Sequence, residues 1–289
     1  MRTDVFRCLS TATPPALWLR DFAKSGIPSA VRSTDSMVIS VGKKEDIKIN
    51  DFSLPPVVVE ILKKSIGLSV ISGPRRSGKT TLAQLLCEQI GEHGQQAVAV
   101  FSDQPEEYEG GKNDRWQIFP IELLNSGSGV CRGFDLALID SQKVSAWRHA
   151  VSLAESGSRI FLLLPFPNAQ AAIERLAERI EANVESGRAR IAEVMQMVIC
   201  LRLLPALDKG MMAAFELLLV TRDIRAAMLR QDWEHVEKMM HSLGEKTGMR
   251  TLNQCLMNLM LKRKIDMKSG FSESPRPDEL DHMLEKVGF

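Results

Sequence analysis

Gly73-Pro74-Arg75-Arg76-Ser77-Gly78-Lys79-Thr80, running on into Thr81-Leu82, is the stretch on which the reading of this chain turns. It satisfies G-x-x-x-x-G-K-S/T, the pattern of a phosphate-binding loop. The glycines let backbone N–H groups turn toward phosphate oxygens, and Lys79 supplies a point charge for the β- and γ-phosphates. The Thr80 hydroxyl can ligate Mg2+, and a helix opening at Thr80 directs its positive end at the anion. Gly73, Ser77, Gly78, Lys79, Thr80 and Thr81 are therefore the candidate nucleotide-binding residues. The competing reading is a glycine-rich turn that joins a strand to a helix. Arg75 and Arg76 either reach phosphate or a neighbouring subunit, or lie solvated on an exposed turn.

The surrounding pattern supplies the context that the loop requires. An apolar run, Leu68–Ser72, precedes it, and an uninterrupted helical period, Thr80–Glu92, follows. Further apolar runs at Ala97–Phe101, Phe134–Ile139 and Ile160–Leu164 read as strands. Helical periods at Val144–Ser156 and Ala169–Ser186 separate them. Such alternation predicts an α/β fold, a P-loop NTPase of RecA-like type with a mainly parallel sheet and helices on both faces. Two more strands, Val194–Leu203 and Met212–Thr221, flank a turn at Pro205–Gly210 and predict a hairpin at the sheet edge. A small C-terminal helical domain follows, with helices over Asp223–Arg230, Trp233–Leu243 and Thr251–Lys262. Before the core, a helix is expected with Val57, Val58, Ile61 and Leu62 as its apolar face, and a short strand at Met37–Val41. The expected division is a short N-terminal segment 1–52, a nucleotide-binding core 53–222, a helical subdomain 223–268 and a tail 269–289. In that tail Ser269–Pro277 reads as linker and Asp278–Lys286 as a last short helix.

Composition narrows the function classes. A hydrophobic content of 44% with 25% charged residues is that of an ordinary globular chain, and a net charge of +1 offers no global field for nucleic acid or an anionic membrane. Cys8, Cys87, Cys131, Cys200 and Cys255 have neither zinc-site spacing nor a nearby histidine pair, which favours free thiols in a reducing compartment. No run is long enough to span a bilayer and the start lacks an apolar signal segment, so no direct membrane insertion is expected. The histidines have no metal-ligand spacing. Met239-Met240, Met249, Met257 and Met260 read as core or as an interaction surface, and Lys262-Arg263-Lys264 as a solvated helix end.

Beyond the loop, the order of segments resembles the PilT-like motor ATPases of type IV pili and type II secretion, over roughly Ser53 to Lys264. Asp103-Gln104-Pro105-Glu106-Glu107-Tyr108 is similar to the family's acidic E-D-P-I-E-F segment. Phe134–Asp140 followed by Ala154-Glu155-Ser156-Gly157 is similar to its Walker B strand and A-E-T-G helix end. Asp223-Ile224-Arg225 and Gly248-Met249-Arg250-Thr251-Leu252-Asn253 resemble A-I-R and G-M-Q-T-L-D.

The resemblance implies ATP and Mg2+ as cofactors, Glu107 as the catalytic base, and Asp140 as the Walker B acid that holds Mg2+ with Thr80. It implies a homo-hexamer or a mixed hexamer with a related ATPase, and an inner-membrane pilus or secretion platform as partner. The location implied is cytoplasmic, peripheral to the inner membrane through partners, and the work implied is retraction. Departures point to slow turnover or to a non-hydrolysing accessory subunit. Leu162-Leu163-Leu164-Pro165-Phe166-Pro167 stands where the family carries a histidine box, and Gln142 replaces a basic residue. About fifty residues precede the core, too few for the usual N-terminal domain, leaving Arg20 and Arg32 as candidate arginine fingers or as surface charges. A small-molecule kinase would need an arginine-rich lid, and no such segment is evident.

Overall fold

The structure, a computed structural model, describes residues 49–52, 54–64, 66–92, 97–108, 116–125, 133–208 and 210–288. Arg20, Arg32 and the expected strand at Met37–Val41 lie outside the described residues. Those described fall within one compact unit, Val41–Phe289.

A seven-stranded sheet organises the unit. Its strands are β1 (Gly67–Ser72), β2 (Val98–Ser102), β3 (Trp116–Pro120), β4 (Leu136–Asp140), β5 (Arg159–Leu164), β6 (Met195–Pro205) and β7 (Met211–Leu219), in the order β3-β2-β4-β5-β1-β6-β7. Neighbours pair in parallel throughout except β6 and β7, which form the expected antiparallel edge hairpin. All six residues of β1 and all five of β2 are buried. A strand buried along its whole length is covered on both faces, which is why these segments read as continuous apolar runs.

The covering helices are α1 (Pro56–Lys64), α2 (Lys79–Glu92), α3 (Glu122–Asn125), α4 (Val144–Glu155), α5 (Ala169–Ile180) and α6 (Val184–Val194). The single helix expected over Ala169–Ser186 is instead two. Glu181 adopts an extended backbone, and the Asn183 side chain accepts from the Glu185 and Ser186 N–H groups to start α6 afresh. Gly187 then packs against the backbone of Ala177, a contact that requires the chain to turn back on α5.

The C-terminal part forms α7 (Arg222–Arg230), α8 (Trp233–Thr247), α9 (Leu252–Leu261), α10 (Met267–Glu273) and α11 (Pro277–Lys286). The linker expected over Ser269–Pro277 is corrected by α10. Asp266 caps it by accepting from the Ser269 N–H at 2.7 Å, and Gly270 is buried against Met260. The Ser/Gly/Pro composition that suggested a linker serves here as a cap and a close contact. Leu280 and Leu284 of α11 are buried, so the end of the chain packs on the fold.

Candidate nucleotide site

Parallel strands present their carboxyl ends on one edge, and loops leaving that edge form the usual ligand crevice of an open α/β sheet. Four loops matter here. The 73–78 loop leaves β1, Asp103–Tyr108 leaves β2, Asp140–Lys143 leaves β4 and Pro165–Asn168 leaves β5. Between the first three lies a cavity of about 680 Å³, lined by Ser77, Gly78, Lys79, Thr80 and Thr81 together with Glu107 and Asp140. Gly73, directly after β1, is not in that lining and starts the loop. The structure thus brings the sequence-predicted residues to one place.

The loop's shape follows from its residue types. Gly73 has φ +145° and Gly78 φ +88°, backbone that side chains rarely adopt. A Cβ at Gly73 would lie 2.6 Å from the Leu201 carbonyl oxygen and 2.7 Å from Ser77 Oγ. Arg76 also takes a left-handed conformation, φ 63°. From Lys79 the 14-residue α2 begins, and its first-turn N–H groups have no carbonyl of their own helix to bond. The Ser77 hydroxyl is buried without a hydrogen-bond partner. An orphaned donor at the floor of a helix N-terminus fits a phosphate oxygen.

Lys79 Nζ donates to the carbonyls of Gly73 at 2.8 Å and Pro74 at 2.7 Å, folding back over its own loop. Burial pushes its ammonium below the usual lysine value; Arg202 acts in the same direction and Asp140 against it. Asp140 ends β4 and accepts from the Tyr108 hydroxyl at 2.7 Å. Burial raises the Asp140 carboxyl above the ordinary aspartate value, while the Tyr108 bond and Lys79 hold it down. Tyr108 is itself 4% exposed, and Thr80 lies near its phenol. The two residues expected to hold Mg2+ therefore lie about one phenol, and their donor set of a hydroxyl and a carboxylate suits a hard divalent cation. Glu107 is exposed, in the Pro105–Glu107 turn at the rim of the cavity.

Several residues here escape sequence reasoning. Asp103 accepts from the Ser141 hydroxyl at 2.7 Å and the Gln142 N–H at 3.2 Å, and pairs with Lys143 at 3.0 Å. Lys143 also reaches Glu122 at 2.8 Å. A cation thus joins the loops after β2 and β4, one position beyond the Gln142 that marked its loss in sequence. Trp147 of α4 pins the second loop by donating to the Ser141 carbonyl at 2.8 Å. Tyr108 carried a signal, since it is the one tyrosine in 289 residues.

No protein-family profile matches the chain. Among curated proteins, the type IV pilus retractation ATPase PilT of Pseudomonas aeruginosa is 24% identical over 222 residues, covering 73% of this chain and 64% of that protein. A twitching motility protein of Neisseria gonorrhoeae is 24% identical over 246 residues, 81% of this chain and 63% of its own length. The chain resembles the PilT-like pilus and secretion motor ATPases. It spans just under two thirds of the length of these relatives. Among solved structures, the pilus retraction motor PilT with bound ADP superposes with a TM-score of 0.70 at 23% identity, over 86% of this chain and 71% of that one. The ATPase DotB of Legionella pneumophila superposes at 0.63 and 16% identity, over 78% and 64%. These neighbours share the PilT-like fold, including the parallel sheet. Among the described residues no helix is long and apolar enough to cross a membrane.

Proposed function

We propose that the chain is an ATP-binding, PilT-like motor subunit of a type IV pilus or secretion system, coupling slow ATP hydrolysis to mechanical work. The observation that carries this reading is the meeting of Lys79, Thr80, Asp140 and Glu107 around one cavity at the carboxyl edge of the sheet. In the reading, Gly73, Ser77, Gly78 and Thr81 cradle the phosphates and Lys79 leaves its loop carbonyls to neutralise them. Thr80 and Asp140 would hold Mg2+, which would supply positive charge beside the transferred phosphoryl group. Glu107, at the rim, orients the attacking water and takes its proton. The work done is retraction, as in the relative's name, within a homo-hexamer or a mixed ring with a related ATPase. The ring docks on an inner-membrane platform protein from the cytoplasmic side.

A second reading is favoured by two observations. The β5–α5 loop, Leu164-Pro165-Phe166-Pro167, holds no histidine. Asp140, in the cavity wall, already accepts a hydrogen bond from the Tyr108 hydroxyl. Both suit a non-hydrolysing accessory subunit that binds ATP as a structural ligand and regulates an active partner.

Steady-state ATP hydrolysis, with oligomeric state recorded in the same sample and Glu107→Gln as control, separates the two. The motor reading expects nucleotide binding in both proteins and turnover at least about 100-fold lower in the variant. Equal turnover refutes the assignment of Glu107 as base. Binding without turnover above the control supports the accessory reading.

A further inference from the structure

Arg202 lies on β6, two residues beyond Cys200, which pairs with Ser72 at the end of β1. Its side chain is only 13% exposed, and its guanidinium is held by three separate parts of the fold. It donates to the Leu201 carbonyl at 3.0 Å and the Pro167 carbonyl at 2.8 Å. Its Nε lies 3.3 Å from Glu273 Oε2, in the last turn of α10. Leu201 is the residue whose carbonyl abuts Gly73, and Pro167 follows β5 next to the site. The charge of Arg202 is felt at Lys79. On its other side the guanidinium faces a second cavity of about 590 Å³ between the sheet and the C-terminal helices, with Glu216, Glu237 and Arg276 in its wall.

Resting on the nucleotide reading above, we propose that Arg202 transmits the charge state of the phosphate site to α10 and α11 through its ion pair with Glu273, so that the chain distinguishes nucleoside triphosphate from diphosphate. The physical argument is competition for one cation. Phosphates at Lys79 place negative charge on the loop side of Arg202, and each further phosphate weakens the hold of Glu273 on the other side. Coulombic pull of this kind acts across a partly buried gap with little screening. Helix α10 has seven residues and is otherwise held by its Asp266 cap, by Gly270 against Met260 and by Ser274 bonded to Asn253, so a weakened ion pair at its last turn should register in its exchange. Glu216, on β7, also faces Arg202, but its carboxylate already accepts from the Ala169 N–H at 2.9 Å. Linkage requires that any change in the Arg202–Glu273 pair caused by triphosphate return as an equal change in triphosphate affinity. Arg202 is thus a positioning residue that acts through Glu273.

Calorimetric binding of ADP and of a non-hydrolysable ATP analogue, both with Mg2+, tests this together with hydrogen exchange over residues 267–286. In the wild type the analogue should speed exchange in α10 more than ADP does. Glu273→Gln, a change at a half-exposed side chain, should give fast α10 exchange without ligand and bind the analogue about fivefold tighter, with a smaller gain for ADP. Arg202→Gln should abolish the difference between the two nucleotides, and Arg202→Lys should restore part of it. The proposal is overturned if the analogue leaves α10 exchange unaltered, or if Glu273→Gln shifts both nucleotides equally. Failure of the wild type to bind either nucleotide would overturn the nucleotide reading with it, whereas binding of both with identical α10 exchange overturns the coupling alone.

Discussion

The Tyr108 hydroxyl donates a 2.7 Å hydrogen bond to Asp140 Oδ2, joining a buried phenol to a half-buried carboxylate in the cavity wall. A bond from a buried phenol to a half-buried carboxylate is worth more than a surface one, because the phenol cannot turn to solvent when it is lost. Tyr108→Phe keeps the ring and removes only this bond and the contact with Thr80. Urea unfolding at neutral pH should show a loss of about 1–2 kcal/mol. The same change removes a group that holds the Asp140 carboxyl down, so Asp140 should titrate at still higher pH in the variant. Unchanged stability would mean that the phenol contributes no net interaction to Asp140.

Asp140 and Asp103 make opposite predictions for stability against pH. Burial raises Asp140 above its unfolded value of 3.8, so its contribution is fully present below that pH and is lost as pH rises through the folded value. Asp140→Asn should therefore unfold at about the wild-type temperature near pH 3 and at a higher temperature at neutral pH, with no nucleotide present. Burial also acts to raise Asp103, but bonds from Ser141, Lys143 and Gln142 outweigh it and hold the carboxyl below 3.8. Its contribution is present above 3.8 and is lost as pH falls through the folded value, so Asp103→Asn should be less stable than the wild type at neutral pH and not in acid. The same sign for both variants in thermal scans would refute the assignment of environments.

Ser77 separates stability from binding. Ser77 is 3% exposed, and its buried hydroxyl has no hydrogen-bond partner. An unsatisfied buried hydroxyl costs roughly 1–3 kcal/mol. Ser77→Ala should therefore leave the nucleotide-free protein as stable as the wild type or more so, while reducing the rise in melting temperature that ADP produces. Thermal shift with and without Mg2+ and ADP checks both halves at once. A variant that is destabilised alone and stabilised normally by ADP would place the hydroxyl outside the ligand's reach.

How much of this was legible in sequence depends on whether the signal was local. The strand, loop and helix over Leu68–Glu92 carry their own evidence, since seven Leu, Val and Ile residues, three glycines and Lys79 all fall within 25 residues. The hairpin of β6 and β7 was likewise readable from two apolar runs about one turn. Strand β3 was not expected: Trp116–Pro120 is five residues long, partly polar and ends in a proline that an edge position tolerates. Tyr108 and Asp140 are 32 residues apart, and Arg202 and Glu273 are farther still, so nothing short of the folded sheet brings them together. The expected linker at Ser269–Pro277 failed for a related reason. Gly270 reads as a breaker alone, and only the approach of Met260 explains it.

Gly187 offers a test of the α5–α6 turn that involves no site residue. It lies inside α6 with ordinary helical backbone, so alanine there relieves backbone entropy and would by propensity alone stabilise the helix by about 0.5–1 kcal/mol. Against this, a Cβ at that position would lie 2.4 Å from the Ala177 carbonyl oxygen. That contact is with backbone, which cannot swing aside, and α5 would have to move away from α6. Overpacking of this kind costs about 1–3 kcal/mol and should outweigh the propensity gain. Gly187→Ala is expected to lower the urea midpoint with an unchanged slope, while ADP still raises the melting temperature, because the loop at Gly73–Thr80 lies elsewhere. A stabilised variant would mean that the two helices are not in contact at Ala177, and the break at Glu181 would then need another cause than close packing of α6 on α5.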